Sequence, residues 1–118
     1  MTIEDTGFTE LLSILDGLVA SGSEPVVLDS TTLLQDPRGI LTQLCERIGL
    51  DFDEVMLTWP SGPKPEDGVW APHWYERVWK STGWEPFVAK DVELTSAAKV
   101  VLPEAAEAYE QLAQYRIT

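Results

Sequence analysis

Residues 25 to 57 read PVVLDSTTLLQDPRGILTQLCERIGLDFDEVML. The opening PVVLD, Pro25 to Asp29, is a short apolar run bounded by turn formers, the pattern of a buried strand. It is the one clear strand signal in the chain, and a lone strand cannot satisfy its own backbone groups. It therefore needs a partner segment here, a second copy, or another part of a larger sheet. Ser30 is placed to cap a helical turn over 31–35. Asp36 and Pro37 then start a stronger helix, Asp36 as N-cap and Pro37 in the first position. Ile40, Leu41, Leu44, Cys45 and Ile48 form its apolar face, and Gly49 ends it with Leu50 closing a hydrophobic contact. Asp51 is placed to cap a further short helix over 53–57. Cys45, on the inward face, reads as a small core residue rather than a nucleophile.

Working outward, Phe8, Leu11, Leu12, Leu15, Leu18 and Val19 recur at helical spacing and predict a helix over 8–21, capped by Asp5 or Thr9 and followed by Gly22. One side of it must pack on something. At the other end, 86–94 reads as irregular or weakly extended, with 88–94 available as an added strand. Thr95 or Ser96 caps a helix running to Leu102, and Pro103 interrupts it or starts another over 104–115. There Ala105, Ala108, Tyr109, Leu112 and Tyr115 are the inward candidates. The fold class is mostly α with one short core strand, an α/β fragment, in a single domain over 1–118.

All five tryptophans and the one histidine lie between Trp59 and Trp84, in WPSGPKPEDGVWAPHWYERVWKSTGW. Pro60, Pro63, Pro65 and Pro72 remove donors and fix φ, and Gly62 and Gly68 permit tight turns. Residues 58–72 are therefore an ordered loop, held down by Trp59, Val69 and Trp70. Pro72 starts a helix over 73–80 that Gly83 ends, with positions 74, 75, 78 and 79 on one nearly all-aromatic face. That face reads either as core, since indoles anchor small domains, or as a pocket wall, since indoles stack on rings and attract cations. The pocket reading names Trp70, His73, Trp74, Tyr75 and Trp79, with Asp67 orienting a polar ligand and Glu66 adding charge. His73 has no second His or Cys near it in sequence to form a catalytic pair. One His and one Cys do not supply a zinc ligand set.

Twenty acidic against eight basic side chains give a formal charge of −12. That balance argues against nucleic acid and against anionic membrane surfaces, which need Lys and Arg. No run spans a membrane, and Met1 to Thr6 lacks the basic start of a signal peptide. One cysteine excludes an intramolecular disulfide. A cytoplasmic chain without metal or cofactor is expected.

The order strand, short turn, Asp36-Pro37, helix, Gly49-Leu50 resembles the back half of sulfotransferases. The following stretch is similar to a bacterial sulfotransferase-like family of P-loop proteins. The shared features are Trp59-Pro60, Asp67-Gly68, the run Trp70-Ala71-Pro72-His73-Trp74-Tyr75, and Ser81-Thr82-Gly83. The likeness runs from about Thr6 to the end. It implies the C-terminal part of a P-loop α/β fold, with the tryptophan-rich loop covering the acceptor side of a cleft. The family's nucleotide chemistry sits in an N-terminal half, and the Gly-x-x-x-x-Gly-Lys-Ser/Thr pattern does not occur here. Gly62 to Lys64 is no substitute, because Pro63 and Pro65 lack the needed amides. His73 does not match the family's catalytic histidine.

Three functions follow as expectations. The first is a non-catalytic or accessory domain that assembles as a homodimer or with a separate N-terminal half. The second is a small-molecule binding domain built on the aromatic stretch. The third is an enzyme, either as part of a split sulfotransferase-like protein or in its own right, and the latter ranks last because no nucleophile, base and orienter can be assembled from these residues alone.

Overall fold

The computed structural model describes all residues, Met1–Thr118, and the chain is mostly helical with almost no strand. The helices are α1 (Phe8–Ala20), α2 (Ser30–Gln35), α3 (Pro37–Ile48), α4 (Ala71–Trp74), α5 (Glu76–Lys80) and α6 (Ser96–Ala113). Short 3-10 turns lie at Glu4–Thr6, Glu54–Met56 and Pro65–Asp67. The residues fall into two compact units, Met1–Asp29 with Val88–Thr118, and Ser30–Phe87.

In the first unit α1 packs on α6. Val101 and Ala108, seven residues apart and so on one face of α6, are both buried, as is Leu15 of α1. That packing on either side of Pro103 carries α6 through the proline as one continuous helix, where the sequence predicts a break. Thr95 caps it as expected, its Oγ1 accepting from the Ala98 amide at 3.2 Å. Leu112 is half-buried, whereas Tyr109 and Tyr115 stay exposed. Ile117, just past the helix, is the most deeply buried large side chain.

The start of α1 differs from the sequence reading. Its N-cap is Gly7, at φ 77°, and neither Asp5 nor Thr9 caps it. Asp5 instead accepts from the Thr2 amide at 2.7 Å, shaping the preceding turn. Gly22 ends α1 as predicted, at φ 79°. Most of the helix's apolar surface remains uncovered: Leu11, Ile14 and Leu18 are 48%, 60% and 39% exposed.

The strand expected at 25–29 is reduced to a single parallel bridge, Val27 to Arg116, closed by the Ile117 amide on the Val27 carbonyl at 3.0 Å. Its partner is the segment after α6, and 88–94 is irregular. A second tie lies beside the bridge: the Tyr109 hydroxyl donates to the Asp29 carboxylate, and Arg116 donates to the same hydroxyl at 3.4 Å.

In the second unit α2 packs on α3, with Leu33, Ile40 and Cys45 buried. Helix α3 follows its sequence signals closely. Asp36 Oδ1 accepts from the Gly39 amide at 3.0 Å, and Pro37 holds the first turn. At the other end Gly49 takes φ 75°, which costs a residue with a Cβ about 1 kcal/mol or more. This lets the Leu50 amide reach the Cys45 carbonyl at 2.8 Å, the paired closure of a Schellman end. Leu50 itself stays 59% exposed, so the expected apolar contact does not bury it. The next turn is capped by Asp53, which accepts from the Val55 amide at 3.0 Å, and not by Asp51. Cys45 is buried with Sγ 3.9 Å from the Met56 sulfur, the environment of a core residue.

Candidate functional site

The tryptophan-rich stretch lies wholly within the second unit. Its base is closed by an antiparallel bridge between Thr58 and Gly83. Two more backbone bonds extend the closure, from the Trp59 amide to the Thr82 carbonyl (3.0 Å) and from the Gly62 amide to the Trp79 carbonyl (2.7 Å). Gly83 is therefore a pairing residue and not the end of a helix. A Cβ at this position would stand 3.0 Å from the Leu57 carbonyl oxygen, which is why the close approach uses glycine.

The helix predicted over 73–80 is two short ones, broken at Tyr75, which sits at φ −105°, ψ 9°. Positions 74, 75, 78 and 79 do not share a buried face. Trp74, Tyr75 and Val78 are exposed and Trp79 is half-buried.

The five tryptophans divide into two groups. Trp59, Trp79 and Trp84 each spend the indole N–H on a fixed acceptor. Trp59 donates to Ser81 Oγ at 2.9 Å, Trp79 to Asp67 Oδ2 at 2.8 Å, and Trp84 to the Met56 carbonyl at 2.9 Å. Trp59 and Trp84 also meet edge to face, with ring centroids 6.1 Å apart. The other two are presented outward: Trp70 is 71% and Trp74 75% exposed. These two are not core, against one of the two readings of the stretch. Trp70 lies beside His73, with centroids 6.3 Å apart and rings tilted by 54°.

Asp67 organises the loop. Its Oδ2 accepts from the Lys64 amide at 2.8 Å as well as from Trp79, and its own amide returns a bond to the Lys64 carbonyl at 3.1 Å. The Lys64 amide first, and the Trp79 indole second, hold its carboxyl below the ordinary aspartate range, so it is an anion at neutral pH. Gly68 follows at φ 79° and lets the chain leave the turn.

Two hollows flank this scaffold. One, of about 240 Å³, is lined by Trp59, Pro60, Lys64, Asp67, Val78 and Trp79. The other, of about 300 Å³, shares Trp59 and Val78 with it and adds Arg77, Ser81, Gly83 and Trp84. Arg77 is paired with Glu85 at its rim. Of the residues the sequence singled out, Asp67 and Trp79 come together at one hollow, whereas Trp70, His73 and Trp74 do not line either. Trp59, Lys64 and Val78 were missed as lining residues. The Trp59 to Ser81 bond spans 22 positions, a separation that no local pattern reports. No group of three His, Cys, Asp or Glu side chains is placed to hold a metal ion, and no helix is long and apolar enough to cross a membrane.

A family model described as a sulfotransferase domain matches residues 2–112. The chain belongs to the sulfotransferase domain family. It is also similar to branched-chain-amino-acid aminotransferase-like protein 2 of Arabidopsis thaliana, 43% identical over 82 residues. Branched-chain-amino-acid aminotransferase-like protein 1 of the same plant is 46% identical over 79 residues. Those alignments cover 70% and 67% of this chain but 15% and 14% of the relatives, so this sulfotransferase-family chain spans a small part of their length. No solved structure matches it.

Proposed function

We propose that this chain is a non-catalytic, accessory domain from the C-terminal half of a P-loop sulfotransferase-like protein, one domain in all, cytoplasmic, that assembles with a second copy through α1. One observation carries the reading. Leu11, Ile14 and Leu18 are spaced to form a strip along α1 and are 48%, 60% and 39% exposed. A helix in an open α/β fold covers a sheet face, and here the sheet is a single bridge. The lack of a phosphate-loop pattern in the sequence supports a role without autonomous transfer chemistry. The two plant relatives support it too, since in each of them the matching segment is a minor part of a longer protein.

The test is solution mass by light scattering across a range of concentrations, for the wild type and for Ile14→Asp with Leu18→Asp. The wild type is expected to reach the mass of a dimer. The double variant is expected to stay monomeric with unchanged far-UV circular dichroism. A monomeric wild type at every concentration overturns self-assembly and leaves a split transferase, completed by another chain that carries the phosphate loop.

A second reading, a small-molecule binding domain, is favoured by the Asp67–Trp79 contact at the smaller hollow. On this reading Trp70, His73, Trp74 and Tyr75 contact the ligand from outside the hollow. Trp70→Ala then lowers affinity without lowering the melting temperature, because that side chain is 71% exposed.

A further inference from the structure

We infer that the hollow between Trp59, Asp67 and Trp79 is a binding site for a quaternary or methylated ammonium group, with the adjoining apolar hollow taking the hydrocarbon attached to it. The inference narrows the small-molecule reading to a ligand class and is independent of assembly through α1. It starts from the two indoles that line the hollow. Indole is the side chain that attracts cations best, and more strongly when the cation has little water to lose, as a methylated ammonium does. Both rings are already held in place, Trp59 by Ser81 and Trp79 by Asp67. A ligand therefore meets walls whose rotamers are fixed in advance, which lowers the ordering cost of binding.

Asp67 adds the charge. Asp67 lines the same hollow, and its Oδ2 accepts from the Lys64 amide and the Trp79 indole, so its negative charge is held in place beside the two rings. Donation of the Trp79 N–H to a carboxylate also polarises that indole toward greater electron density, which strengthens its attraction for positive charge. A methylated ammonium has no need of a hydrogen-bond acceptor, so it tolerates a carboxylate already partly engaged. Anions meet both Asp67 and a chain of net charge −12.

Lys64 is the one element of the wall that opposes a cation. It is exposed, and its charge makes the smallest contribution to the lowering of the Asp67 carboxyl. It weakens the site without filling it. Beyond Trp59 and Val78 the second hollow, about 300 Å³, is walled by Trp84 and Gly83 and suits an apolar group. The ligand class is then a small organic cation with a hydrocarbon arm.

The experiment titrates the full chain with choline and follows tryptophan fluorescence. Its comparison is choline's neutral isostere, in which carbon replaces the quaternary nitrogen. Choline is expected to give a saturable change, and the isostere to bind at least about tenfold more weakly, the share that charge contributes at a partly desolvated aromatic site. Asp67→Asn is expected to weaken choline by a similar factor. Lys64→Met keeps the backbone amide that Asp67 uses and is expected to tighten choline severalfold. It keeps the proposal testable even if Asp67→Asn loosens the loop. Equal affinity for choline and the isostere overturns the cationic class while leaving a small-molecule site. No saturable response to either overturns this inference, while the small-molecule reading keeps its own test at Trp70. Weakening by Lys64→Met overturns the placement of the cation in this hollow, where removal of a like charge can only favour it.

Discussion

Asp67 shows how one carboxylate can be both a structural tie and a charge. Two N–H donors, one from the backbone of Lys64 and one from the Trp79 indole, favour its ionised form. Its pKa is therefore lower folded than unfolded. A group depressed in this way contributes stability that is complete above the unfolded value, near 4, and is lost as the pH falls through the lower folded value. Acid titration followed by tryptophan fluorescence should accordingly show a loop transition below about pH 4, and Asp67→Asn should remove it. A transition that persists unchanged in the variant would assign it to another carboxylate, such as Glu85 or Glu54, which their arginine partners also hold low. At this scale the sequence was partly legible. Asp67 stood out as a polar group among tryptophans, but its bond to Trp79, 12 positions away, depends on how the loop folds back.

The helices divide by how local their signals are. Helix α3 was readable to the residue, because its start needs only Asp36 and Pro37 and its end only Gly49. The 73–80 segment was not, because nothing in its pattern of aromatics marks the break at Tyr75. The backbone there is claimed by distant partners: the Trp79 carbonyl accepts from the Gly62 amide and Trp79 donates to Asp67. Helix α6 is the opposite case, where local chemistry predicts a break and packing of Val101 and Ala108 overrides it. Pro103 still lacks a donor for the carbonyl four residues back and crowds it. Since Pro103 is exposed, Pro103→Ala opens no cavity and restores that bond. The variant should be more stable by about 1–3 kcal/mol, measured by urea unfolding. A loss of stability would mean that the proline sets a bend on which the α1 contact depends.

Across the whole chain, charge and apolar surface work against each other. The net charge of −12 opposes the approach of a second copy, while Leu11, Ile14 and Leu18 favour it. The strand signal at 25–29 was legible as a pattern, yet it yields one bridge, since the segment after α6 meets it at Arg116 alone. The face of α1 that α6 does not cover leaves Leu11, Ile14 and Leu18 open to a second copy. Like charges on two copies are screened by salt, with a Debye length of about 10 Å at 0.1 M and about 3 Å at 1 M. Apolar burial is not weakened by this screening. Raising the ionic strength should therefore shift the mass distribution toward the dimer at fixed protein concentration. The attraction of a cation to Asp67 is screened by the same ions, so choline affinity should fall over the same range. Light scattering and fluorescence titration in one salt series read the two effects with opposite sign. A mass that falls as salt rises would show that copies meet through paired charges, and the α1 strip would then have no part in the contact.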